Sequence, residues 1–144
     1  MSLVLELRAG EVMIINGAPL RFRSRTRIEL TAEARFLFGK QVMPPDQANS
    51  PARRIYFALQ SAYVGEEAER EAGLVSARHF IEQFQQVTTS EMAHQLLTRA
   101  LVAAESDKLH EALKLARRVV QHEEAVLGNP PPEPQRFTAR SVRQ

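Results

Sequence analysis

Apolar and polar positions alternate along the first thirty residues. Leu3, Leu5 and Leu7 are interleaved with Val4, Glu6 and Arg8, the period of a strand with one buried face. Ala9-Gly10-Glu11 interrupts the run, and Gly10 is free to take a positive φ. Val12-Met13-Ile14-Ile15 follows as a second strand. Asn16-Gly17 then predicts a two-residue type I′ hairpin, whose central positions both need φ > 0. From Ala18 to Leu30 the alternation resumes, with Leu20, Phe22, Ile28 and Leu30 set against Arg21, Arg23, Arg25, Arg27 and Glu29. Strands usually run about three to ten residues, so this stretch reads as two strands broken near Phe22 to Arg25. Pro19 cannot donate to a ladder and belongs at a strand start or on a sheet edge.

At Thr31 the period changes. Thr31 is expected to cap a short turn over Ala32 to Phe38 that ends at Gly39, and residues 41–50, with Pro44-Pro45-Asp46, read as a connector. Four helices follow. Asn49-Ser50-Pro51 supplies a cap and a proline at N1 for the first, over 51–64, which is apolar nearly all round. The second, over 66–87, opens with Glu66, Glu67 and Glu69 and carries Phe80, Ile81, Phe84 and Val87 as its apolar face; Gly73 is expected to weaken or split it. Thr88 to Glu91 matches a capping box for the third, over 90–105, which should bury Ala93, Leu96, Leu97, Ala100, Leu101 and Ala104. Ser106-Asp107 is read as the cap of the fourth, over 108–127, with Leu109, Leu113, Ala116, Val120 and Leu127 facing inward. The predicted fold is α+β. A small antiparallel N-terminal sheet (1–40) is joined by the connector (41–50) to a helical bundle (51–128), with a flexible basic tail at 129–144.

Composition narrows the function classes. Hydrophobic residues are 44% of the 144, enough to build a core and to exclude wholesale disorder. The longest apolar runs are five residues, Ile55 to Leu59 and Ala100 to Ala104, far short of the ~20 that a membrane helix needs. The opening MSLVLELRAGE has no basic-then-apolar leader, and there is no Cys, so disulfides, Cys-ligated zinc and thiol catalysis are excluded. A cytoplasmic protein is expected. No P-loop, G-x-G-x-x-G or G-x-S-x-G occurs, and a single Glu91-x-x-His94 spacing does not make a di-iron site, which needs two. An enzyme is not expected, nor a cofactor or metal.

Charge carries more information by its distribution than by its net value of +2. Residues 1–40 hold seven basic and four acidic side chains, whereas 65–89 hold two basic and five acidic. Arg21, Arg23, Arg25 and Arg27 would project from one strand face at intervals of ~6.6–6.8 Å, suited to phosphates along an extended nucleic acid. The competing reading is a solvated strand face, or an edge protected by charge from aggregation. Arg53 and Arg54 sit in the first turn of a helix, where the dipole disfavours cations unless acids or an anionic ligand are near. They either extend a basic patch or pair with Asp46 or the glutamates at 66–71. The rings of Phe22 and Phe38 could stack on bases or fill the core. Tyr56, Phe57 and Tyr63 on the first helix are the candidate partner-binding face.

The blocks L-x-L-x-x-G-E…I-N-G-A (Leu5 to Ala18) and P-A-R-R-I-Y-F-A-L-Q (Pro51 to Gln60) resemble the FlbT family of bacterial flagellum-biosynthesis repressors over residues 1 to about 128. The resemblance implies post-transcriptional repression of flagellin synthesis, through association with the 5′ untranslated region of flagellin mRNA and promotion of its decay. It implies no catalysis, and it assigns no RNA-contacting residue. A fainter N-terminal likeness is to the carbon-storage regulator family, through Leu3-Val4-Leu5 and Gly10-Glu11; an arginine important there falls at Leu7 here. The expected partner is therefore a flagellin mRNA leader. The alternative is a protein-binding adaptor or chaperone-like module that engages flagellin or a flagellin regulator through the helical half. No membrane partner is expected, and open sheet edges suit a homodimer.

Overall fold

The computed structural model describes residues 2–127. Five strands precede four helices: β1 (Leu3–Leu7), β2 (Val12–Ile15), β3 (Ala18–Arg21), β4 (Thr26–Leu30), β5 (Phe36–Phe38), α1 (Pro51–Val64), α2 (Glu67–Val87), α3 (Glu91–Glu105) and α4 (Leu109–Leu127). The fold is α+β, as the alternation and the capping signals predict. The predicted tail over 129–144, with the stop at Gly128-Asn129, lies outside the described residues.

The strands form two antiparallel sheets. β1 pairs with β4 as a ribbon, and β3-β2-β5 make a second sheet. The stretch from Ala18 to Leu30 is thus two strands, but they do not pair with each other. Arg21 lies opposite Val12 and Arg27 opposite Glu6, so the four arginines do not share one strand face: Arg21 and Arg27 belong to different sheets, and Arg23 and Arg25 lie in the loop between them. Asn16 and Gly17 both have positive φ, 48° and 88°, the backbone of the type I′ turn. β3 is an exposed edge, and Pro19 sits on it without removing a needed donor.

β5 replaces the predicted turn. Phe36 and Phe38 pack in a cluster with Leu5, Leu7, Met13, Ile15, Phe22, Ile28 and Leu30, while Leu37 points the other way, into the helical core. β2 behaves likewise: Met13 and Ile15 face the ribbon, Val12 and Ile14 the helices. The β3-β2-β5 sheet is therefore the middle of three layers, with the ribbon on one face and the bundle on the other. Phe22 and Phe38 are held in that ribbon core.

The helices pack as two hairpins. Ser50 caps α1 by accepting from Arg53 N–H, and Ser90 caps α3 by accepting from Ala93 N–H. The capping box expected from Thr88 is not formed, because Glu91 is already the first helical residue; the Thr88 hydroxyl accepts from Ser90 N–H instead. Asp107 takes φ 63°, and Lys108 N–H donates to Ala103 C=O at 2.8 Å. These residues end α3 in a left-handed turn rather than capping α4. α2 runs unbroken through Gly73, whose site has no room for a side chain: a Cβ there would lie 2.7 Å from Ala58 C=O and 2.8 Å from Ala62 N of α1. The buried line of α2 is Gly73, Ala77 and Ile81, with Phe80 and Phe84 half-buried, while Val87 is 79% exposed. Leu127 of α4 is also exposed, and Leu101 and Leu109 are half-buried.

The connector is tied down on the helices. The buried Gln60 amide brackets Met43, accepting from its N–H at 2.8 Å and donating to its C=O at 3.0 Å. Tyr56 donates its hydroxyl to Gln41 C=O at 2.6 Å.

Candidate nucleic-acid interface

One end of the β layers gathers cations because four chain segments meet there. β1 ends at Leu7 opposite Thr26, which places Arg8 beside the start of β4. The turn after it closes by Glu11 N–H donating to Arg8 C=O and Arg8 N–H donating to the Glu11 carboxylate at 2.7 Å. The β2–β3 ladder runs on past Arg21, with Gly10 N–H donating to Phe22 C=O and Phe22 N–H to Glu11 C=O. The loop from Phe22 to Arg25 then crosses to the ribbon. Arg8, Arg21, Arg23, Arg25 and Arg27 are all exposed at this end.

Among the described residues, the carboxylates of Glu6 and Glu11 sit with them. Glu11 is spent on the Arg8 turn. Glu6 faces Arg27 across the ladder and binds two guanidinium groups, Arg27 at 3.0 Å and Arg25 at 3.6 Å. The hydrogen bond from Arg27, with the charges of Arg25 and Arg27, holds the Glu6 carboxyl below the usual carboxylate range. All three side chains are more than half exposed, so water and salt screen the pairs strongly. Arg8 and Arg23 have no ion-pair partner among the described residues.

The basic end continues onto the helical half through residues that alternation could not reveal. Gly39, with φ 60°, lies against the Glu11 carboxylate, and the next residue, Lys40, is exposed. Lys40 C=O accepts from Arg117 Nη2 at 2.8 Å; Arg117 in turn lies over the Tyr56 ring, 5.0 Å from its centroid. The register that places β5 beside β2 brings Gly39 and Lys40 to Glu11, and the packing of α4 on α1 brings Arg117 to Lys40.

The remaining expected site residues go elsewhere. Arg53 is enclosed: its guanidinium meets Glu124 at 2.7 Å and Asn49 Oδ1 at 3.0 Å, with the Arg53 and Glu124 side chains only 11% and 15% exposed. Its acid is therefore Glu124 of α4, not Asp46 or the 66–71 cluster, and Arg53 is not available to a phosphate. Arg54 is exposed and lines a groove with Ala48, Phe57 and Phe80, on the helical half. Tyr56 is 3% exposed and its hydroxyl is satisfied by Gln41 and Arg117, so it is a core residue rather than part of a docking face. Burial pushes its phenol pKa up, against the lowering effect of Arg117. Tyr63 is half-buried against His110 and its carbonyl accepts from Arg35 Nε. Phe57 lines a cleft of about 930 Å³ with Val12, Ile14, Met43 and Val64. Glu91 accepts from Gln95, and no group of three metal-ligating side chains occurs among the described residues. No helix among them is long and apolar enough to cross a membrane.

These features define a small α+β protein with an arginine-rich end mounted on a layered scaffold. The family model described as flagellar protein FlbT matches residues 3–127, and the chain belongs to that family. It is 33% identical over 128 residues to a probable flagellum biosynthesis repressor protein FlbT of Brucella abortus, covering 88% of this chain and 83% of that one. A protein of the same description from Brucella suis is also 33% identical over 128 residues. Another from Agrobacterium fabrum is 31% identical over 143 residues, 99% of this chain and 92% of that one. No solved structure matches.

Proposed function

We propose that this protein is a cytoplasmic, post-transcriptional repressor of flagellin synthesis that binds the 5′ untranslated region of flagellin mRNA and promotes its degradation. The observation that carries the reading is the exposed cluster of Arg8, Arg21, Arg23, Arg25 and Arg27 at one end of the sheets. Arg8 and Arg23 have no ion-pair partner among the described residues, the pairs of Arg25 and Arg27 with Glu6 are exposed, and RNA phosphates supply anions in a line. Family membership adds the flagellar context, since the relatives are described as repressors of flagellum biosynthesis. The phosphate contacts would give affinity, and unpaired bases of the leader would give sequence preference. Cleavage of the message falls to other proteins. A gel-shift titration of a flagellin leader tests the proposal. The log affinity should fall steeply with log salt, by a slope of about 0.7 per phosphate contact on a single strand. Arg21→Ala with Arg27→Ala should flatten that slope; a leader bound no better than an unrelated RNA and insensitive to salt would end it.

A second reading rests on the cleft beside Phe57. Its lining combines apolar side chains with Asp46, Glu66 and Glu69 beside Arg21, which suits a partner segment with apolar and mainly basic positions. Flagellin, or a regulator of it, is the partner proposed. Phe57→Ala should then abolish capture of that protein while leaving RNA affinity unchanged. A homodimer through the open strand edges is also part of the proposal, and sedimentation of the purified protein decides it.

A further inference from the structure

We propose that Glu6 is a built-in stand-in for a phosphodiester. Its carboxylate occupies an oxyanion subsite formed by Arg25 and Arg27, which a phosphate within an RNA chain takes over on binding. This rests on the RNA-binding reading above and goes on to say how the site selects its ligand.

The geometry is that of a filled anion site. Each Glu6 carboxylate oxygen faces its own guanidinium, Oε2 at 3.0 Å from Arg27 Nη2 and Oε1 at 3.6 Å from Arg25 Nη2. A phosphodiester presents two non-bridging oxygens at a similar separation, so the same two guanidinium groups can receive it without backbone movement. The arrangement is held by the ladder, because Glu6 and Arg27 are direct cross-strand partners. It is also displaceable. The side chains of Glu6, Arg25 and Arg27 are 52%, 79% and 72% exposed, in contrast to the enclosed Arg53–Glu124 pair. Exposed pairs of this kind are weakly held and readily exchanged.

Selectivity follows from what lies on either side. A lone phosphate must compete with a tethered carboxylate for two cations and gains nothing else. A chain of phosphates also reaches Arg8 and Arg23, which have no ion-pair partner among the described residues. Glu6 thus rejects free nucleotides and small anions while admitting a single-stranded RNA that spans the cluster. Negative charge placed against the wrong ligand is the discriminating device.

The test measures binding of a labelled single-stranded flagellin-leader RNA to the full chain by fluorescence anisotropy across a salt series. Glu6→Gln should tighten binding about fivefold and steepen the salt slope by about 0.7, one charge's worth. Glu33→Gln makes the same change of net charge at an exposed position beyond the opposite end of the ribbon from Arg25 and Arg27 and should shift affinity by less than about twofold. In an Arg25→Gln/Arg27→Gln background the gain from Glu6→Gln should vanish, as a coupled set requires. AMP should compete with RNA on the Glu6→Gln protein at lower concentration than on the wild type. If wild type binds RNA through its arginines but Glu6→Gln and Glu33→Gln behave alike, the stand-in idea fails and the RNA-binding reading stands. A gain that survives loss of Arg25 and Arg27 also defeats it. If neither wild type nor variant binds RNA, both fall.

Discussion

Ser50 and Glu123 are 73 residues apart in the chain and hydrogen-bonded in the fold, with the serine hydroxyl donating to the carboxylate. The other Glu123 oxygen accepts from Ala52 N–H at 3.1 Å. Beside it Glu124 holds Arg53. The end of α4 thus supplies two carboxylates to the start of α1, where the unsatisfied N–H groups and the positive end of the helix dipole favour negative charge. This explains how α1 tolerates Arg53 and Arg54 in its first turn.

Glu123→Ala should therefore destabilise the fold by about 1–2 kcal/mol, the cost of a lost helix-start anion and two donors left to water. Urea denaturation measures it, and amide exchange should show the loss concentrated in the first turn of α1. Unchanged stability would mean that Ser50 alone suffices as the cap.

Gly73→Ala sets two effects against each other. Alanine is the better helix former by about 1 kcal/mol. Against that, its Cβ would meet the α1 backbone at under 3 Å, where no flexible atom can give way. Overpacking of this kind costs about 1–3 kcal/mol and should prevail, lowering the melting temperature. A stabilised variant would show that α1 and α2 can separate freely.

Tyr56 makes stability fall in alkali. Burial raises its pKa in the folded protein above the ordinary value of 10.0, so the unfolded chain loses its proton first. Stability from this group is complete below about pH 10 and is lost as pH rises through the higher folded value. Tyr56→Phe should cost about 1–2 kcal/mol at neutral pH, since Gln41 C=O and Arg117 lose a partner, and should make the decline above pH 10 shallower. Urea midpoints across an alkaline pH series report both.

Arg53 and Arg23 should separate structure from ligand contact. Arg53→Ala leaves Glu124 largely enclosed without its cation and should lower stability by about 2–3 kcal/mol, with RNA affinity per folded molecule unchanged. Arg23→Ala should leave the melting temperature where it is and weaken leader binding. The reverse pattern in the same two assays would relocate the interface.

What the sequence made legible were features written in neighbouring residues. Alternation located β1, β3 and β4, an apolar run located β2, Asn16-Gly17 located the hairpin, and Ser50-Pro51 located the start of α1. β5 escaped because Phe36-Leu37-Phe38 is apolar on both sides, so that it shows no period at all. Gly73 reads locally as a helix weakener, while its real constraint is the backbone of a different helix. The candidate site was legible only as a row of arginines. That Arg25 and Arg27 share Glu6, that Arg53 belongs to Glu124, and that Lys40 and Arg117 extend the basic end all depend on pairings between distant segments.

The middle sheet has a mechanical consequence. Every side chain of β2 is packed against either the ribbon or the helices, with Met13 and Ile15 on one side and Val12 and Ile14 on the other. Neither half can melt without exposing a face of the same strand. Despite their separate cores, the two halves should lose their structure in one cooperative transition, and an RNA clasped at the ribbon would raise the melting point of the distant helices with it.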